Sequence, residues 1–262
     1  MGHERVSSLP RKSEKWVNLV RRIGCMYSDG IPVETIAAQT LSNVRHQYER
    51  LSRDEAVKTV FNFLLVFSRS CRSDDPVSEL RDAGISLPDK PSPLSVVKEL
   101  RQQMPTDEAA SEYGQLALAA GADAIGQWHK DNPVVQPSLF KARSDFLESW
   151  GDLGSGSGFC ELSRLFFGKL TERYLNYFLD RAASETLPSI HDRNRFEQDI
   201  KSHVDDVSKH AFETAKIGQS FAAGWFNRHA RDRLPTEREV ESFLAVQFGK
   251  LRDELRREGE RK

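Results

Sequence analysis

The sequence is poor in cysteine, short of long apolar runs and almost without net charge, and each shortage excludes something. Its three cysteines, Cys25, Cys71 and Cys160, are odd in number, far apart and in no metal-type spacing. They supply neither a disulfide framework nor a zinc motif, so a reduced, cytoplasmic compartment is expected. The longest uncharged apolar run, Thr59 to Ser68, is bounded by Lys58 and Arg69. It is about half the roughly 20 residues that span a bilayer, so it reads as a core helix segment, and a soluble protein with no membrane partner is expected. The N-terminus is polar and lacks the apolar centre of a signal peptide. A formal net charge of -1 argues against a protein that holds nucleic acid through bulk charge alone.

Strand signals are missing too. There is no sustained period-two alternation, no Asn-Gly hairpin and no repeat at a fixed period, so a sheet of any size is not expected. Catalytic signatures are equally scarce. Gly154 to Gly158 (GSGSG) has neither the preceding strand nor the Lys-Ser or Lys-Thr ending of a phosphate-binding loop. It spells Gly-x-Ser-x-Gly without the sheet that would present the serine. His203, Asp206 and His210 share one helix flank, but no facing ligands are identifiable, so a solvated polar flank and no metal or other cofactor are expected. His191-Asp192 resembles the metal-holding pair of the HD phosphohydrolases in the dipeptide alone. Asp192 reads better as a helix cap, and a metal-dependent hydrolase ranks third among the functional readings.

What is present is helical punctuation. Ser13 is placed to cap a first helix carrying Trp16, Leu19, Val20 and Ile23. Pro32 opens a second that reaches about Leu51. Ser52 to Glu55 spells a capping box for the next. Asp75-Pro76 and Ser92-Pro93 start two shorter helices, ended by Gly84 and Pro105. An alanine-rich helix should follow Thr106, with Gly114, Gly121 and Gly126 weakening its continuity. NPVVQP, from 132 to 137, reads as an extended connector ahead of a helix with Phe140, Phe146 and Trp150. Three long helices then run from about Phe159 to Thr186, Arg193 to Arg231 and Thr236 to Arg257. The fold class is therefore all-α, a multi-helix bundle: an N-terminal helical part over 1–150 and a C-terminal three-long-helix part over 159–262. The low-complexity Gly/Ser stretch at 151–158 has the composition of a hinge between them.

Two features carry the functional expectations. Ala211, Ala215, Gly218 and Ala222 align on one face of the second long helix, and Trp225 continues it, so another backbone should approach closely there. The helix after 158 is apolar over much of its circumference, with Phe166, Tyr174 and Phe178 as large packing determinants, either in the core or on a partner surface. Together they suggest a non-catalytic cytoplasmic adaptor or accessory subunit that docks a protein partner or itself. The alternative is a nucleic-acid-binding accessory protein. Residues 1 to 24 hold six Lys or Arg against Glu4 and Glu14, and Lys12, Lys15, Arg21 and Arg22 would make the contacts. The stretch from Pro32 to Tyr48 is faintly similar to a helix-turn-helix, although Gln39 to Ser42 equally continue one helix.

Overall fold

A computed structural model of the chain describes residues 13–133, 145–213, 221–231 and 233–260. It is an all-α multi-helix bundle, and no strand occurs among the described residues. The first helix, α1 (Glu14–Asp29), begins where the Ser13 hydroxyl accepts the Trp16 amide and ends at Gly30, whose φ of 66° needs no Cβ. Helix α2 (Val33–Asn43) is followed by α3 (Arg45–Arg50) and a 3-10 turn over Leu51–Arg53. The single helix expected from Pro32 to Leu51 is thus broken at Val44, which lies at φ -111° and ψ 23°. The bend lets buried Tyr48 share a 2.8 Å hydrogen bond with Thr171 far along the chain. One non-helical residue is too short for a helix-turn-helix turn.

Helix α4 (Glu55–Ser70) is capped by Asp54, which accepts from Val57 N, rather than by Ser52. The 3-10 turn absorbs Ser52, whose hydroxyl donates instead to the Glu49 carbonyl. Helices α5 (Pro76–Asp82) and α6 (Pro93–Gln103) carry the expected Asp75 and Ser92 caps. The alanine-rich stretch divides into α7 (Thr106–Ala110) and α8 (Glu112–Asp131), with Ser111 capping the second. A Cβ on Gly114 would collide with the Glu108 carbonyl, so the break and the glycine require each other. Helix α9 (Asp145–Trp150) is anchored by the Trp150 indole, which donates to Pro91 O at 2.8 Å. Phe140 and most of the NPVVQP connector lie outside the described residues.

The Gly/Ser stretch is folded. Gly151–Gly154 form a 3-10 turn, and Ser155 caps α10 (Gly156–Thr186) by accepting from Gly158 N. A Cβ on Gly154 would sit 2.8 Å from the Cys71 carbonyl carbon and oxygen, and one on Gly158 would collide with Asp152 O. Glycine is here a packing requirement. Helix α10 is the spine of the bundle, packed against α1, α4, α8, α11 (Ile190–Glu213) and α12 (Phe221–His229). The last helix, α13 (Glu237–Glu260), starts at the expected Thr236/Glu239 capping box and lies along α2. One continuous apolar core runs from Trp16 to Leu255 through both halves of the chain. Its centre is Phe61 of α4, whose ring lies within 6.5 Å of those of Phe159, Phe166, Phe167, Trp225 and Phe243.

Candidate anion-binding cleft

The residues singled out for packing are mostly core. Phe166, Tyr174 and Phe178 are fully buried in α10, and Ala222 and Trp225 are buried in α12. Ala211 is half-buried against the core. Ala215 and Gly218 lie outside the described residues, as does the stretch that would join α11 to α12. Among the cations of the first segment, Lys15 and Arg21 are exposed and Arg22 is half-buried, while Lys12 lies outside the described residues. Arg21 donates to Asn18 of its own helix at 3.3 Å.

The flank of His203, Asp206 and His210 is not uniformly solvated. His203 is buried at 8% exposure, because α11 turns it toward the core beside Val204 and Val207. His210 Nε2 approaches Glu254 Oε1 of α13 at 3.3 Å, and Asp206 stays exposed. Among the described residues no three His, Cys, Asp or Glu side chains converge as a metal site. Asp192 sits in the first turn of α11, where it accepts from the Ser189 hydroxyl while its own amide donates back to that hydroxyl. Ser189 is thus the cap, and Asp192 its reciprocal partner three residues on.

The structure brings together a different set. Where α3 and its 3-10 turn face α13, a cleft of about 510 Å³ opens, lined by His46, Glu49, Arg50, Arg53, Gly249 and Arg252 among others. A second, of about 350 Å³, adjoins it through Arg252 and is lined by Arg45, Asp253 and Arg256 over Ala38, Leu41 and Ser42. Apart from His46, every cation around the two clefts is an arginine: five of them against the carboxylates of Glu49 and Asp253. Guanidinium forks suit bidentate contact with oxyanions better than ammonium groups do, and they stay charged at any physiological pH.

Local structure explains the placement. His46 and Arg50 are one α-turn apart, and Arg53 follows Arg50 by one 3-10 turn, so the three stand on one edge of α3 and its extension. Opposite them, Arg252 is steered by Glu49, which it contacts through Nη1, and by Asp253, to which Nε donates at 2.9 Å. Arg45 also donates to Glu49, at 2.9 Å, and this hydrogen bond is the main reason that the Glu49 carboxyl is held below its ordinary pKa. Glu49 is therefore an ionised strut between two arginines. Arg50 and Arg53 make no ion pair among the described residues.

A larger hollow of about 910 Å³ lies between α8, α10 and α11. Its charges largely cancel, with Arg173 on Asp123 at 2.5 Å and Lys169 on Glu172 at 3.1 Å. It offers no field of one sign. The arginine cleft carries an excess of positive charge, and its within-helix signal is readable: His46, Arg50 and Arg53 fall at i, i+4 and i+7, and Arg252 and Arg256 at i and i+4. That the two runs meet is a property of the packing of α13 against α2, α3 and the 3-10 turn. No protein-family model matches the chain, and no curated protein or solved structure matches it.

Proposed function

We propose that this chain is a non-catalytic adaptor or accessory subunit of the cytoplasm that docks a protein partner through the arginine-lined cleft. The carrying observation is the pair of guanidinium groups, Arg50 and Arg53, that make no ion pair among the described residues, beside three further arginines on two adjoining clefts. Binding suits these groups better than turnover. Arginine does not give up its proton in proteins. The two hydroxyls that line the first cleft are engaged elsewhere, Ser52 on the Glu49 carbonyl and Tyr48 on Thr171. The aromatic side chains of α10 are absorbed by the core, so docking through charge replaces docking through the aromatic face. The thiols of Cys25, Cys71 and Cys160 are free, which suits a reducing compartment, and no described helix is long and apolar enough to cross a membrane.

The test is affinity purification from the native host with the parent chain and with an Arg50→Glu/Arg53→Glu variant. A partner retained by the parent, lost by the variant and released by moderate salt supports the reading. A partner held equally by both refutes it. The second reading, contact with nucleic acid through Lys15, Arg21 and Arg22 of α1, rests on the exposure of Lys15 and Arg21. It predicts salt-sensitive retention on DNA or RNA that is weakened by neutralising those residues.

A further inference from the structure

Resting on the adaptor reading, we propose that the cleft between α3 and α13 receives a phosphorylated serine or threonine in an extended segment of the partner, its phosphate held between Arg50 and Arg53. Three observations converge on that group. Arg50 and Arg53 lie one 3-10 turn apart in the cleft lining without carboxylate partners among the described residues, with His46 on the same edge. Two guanidinium forks in one cleft match the several oxygens and the charge of about -1.5 to -2 of a phosphomonoester. Arg252, across the cleft, is already oriented by Glu49 and Asp253, so little of its freedom remains to be lost on binding.

The floor is the second observation. Gly249 lies in the middle of α13 and lines the cleft, yet a Cβ built there would meet nothing within 4 Å. Packing does not ask for a glycine at this position, and mid-helix glycine is intrinsically destabilising. The bare backbone keeps the cleft deep enough for an inserted group, as no larger residue would.

The third observation decides between kinds of occupant. A nucleic-acid strand would lay successive phosphates along the clefts, but Glu49 and Asp253 interrupt the arginines. It would also seek a stacking platform, and the cleft's rings, Tyr48 and Phe248, are buried. A peptide meets neither obstacle. One phosphate fits at Arg50 and Arg53, and the chain continues past Arg252 toward Arg45 and Arg256, which already face Glu49 and Glu260.

The test uses the full chain and immobilised degenerate peptide libraries with a fixed central phosphoserine or phosphothreonine, beside the same libraries unphosphorylated and a single-stranded oligonucleotide. The phosphorylated libraries should be retained at least about tenfold better than their unphosphorylated twins, the worth of one charge-assisted hydrogen bond. Arg50→Gln/Arg53→Gln should remove that preference. Gly249→Leu, which keeps every arginine, should remove it too by filling the floor, with circular dichroism confirming that both variants are folded. Equal retention of the twin libraries, indifference to either folded variant, or stronger retention of the oligonucleotide each overturns the proposal. The two readings fail separately. A partner captured through Arg50 and Arg53 that stays bound after phosphatase treatment refutes only the phosphate. Phosphopeptide binding, with a partner indifferent to those arginines, refutes only the adaptor reading.

Discussion

Replacing Phe61 with alanine tests whether the chain has one core or two. Phe61 belongs to α4, in the half of the sequence before the Gly/Ser stretch, and is fully buried. Its neighbours Phe159, Phe166 and Phe167 belong to α10, Trp225 to α12 and Phe243 to α13, with centroids from 5.2 to 6.5 Å away. A buried Phe→Ala change costs about 3 to 5 kcal/mol, and aromatic pairs add about 0.5 to 1.5 kcal/mol each beyond area. Five ring neighbours place Phe61→Ala at the upper end, about 5 kcal/mol. For a chain of this size that is a fall in melting temperature of about 10 to 20 °C. Phe63, on the same helix, makes its ring contact with Phe67 of α4 itself, so Phe63→Ala should fall near 3 kcal/mol. Urea unfolding followed by far-UV circular dichroism and by tryptophan fluorescence should show one coincident transition in parent and variants. A cost for Phe61→Ala below that for Phe63→Ala, or two separate transitions, would refute the continuous core.

Limited proteolysis should spare 151–158, because Gly154 is packed against Cys71 and Gly156 against Ala223; first cuts there would support a hinge. Gly158→Ala should lower stability by about 1 to 3 kcal/mol through collision with Asp152 O. In a flexible linker the same change would be neutral or gain about 0.4 to 1 kcal/mol, and a melting curve distinguishes the two. Gly249→Ala, with open space at its Cβ, should stabilise by about 0.5 to 1 kcal/mol. Burial and the neighbouring charge of Asp199 raise the Tyr27 phenol to about 12, and burial raises Tyr113 to about 12. Such phenols favour the fold in their neutral form, so their contribution is complete below about pH 10 and is lost as pH rises to about 12. The urea midpoint should therefore fall between about pH 10 and 12, and Tyr27→Phe should reduce that fall.

Features set within a single turn were legible in the sequence. The caps at Ser13 and Thr236 and the helix starts at Asp75 and Ser92 rest on hydrogen bonds across three residues, so their signal is local. Misreadings arose where two local solutions compete. Ser52 and Asp54 are both good caps, and the 3-10 turn that consumes Ser52 decides for Asp54. Helical periodicity runs through Val44, so the break that carries Tyr48 to Thr171 has no local sign. The glycines of 151–158 look like a linker by composition, and the neighbours distant in sequence, Cys71 at Gly154 and Asn227 and Ala223 at Gly156, are not visible there. His203 illustrates the same limit, since spacing places it on a flank without saying how deep that flank lies. The cleft was half legible: each wall shows its arginine spacing, but the pairing of the walls does not follow from either.

The docking of α13 along α2 has a consequence in time. Glu49 of α3, the next helix, and Arg252 of α13 meet beside that junction and are 203 residues apart. At about 5 to 20 residues per second, a ribosome needs roughly 10 to 40 s to travel between them. Through that interval Tyr48 lacks Phe248, and Phe61 lacks first Trp225 and then Phe243. The nascent chain therefore carries an unfinished apolar face for much of its synthesis. Both the core and the arginine-lined cleft are completed only when α13 has emerged.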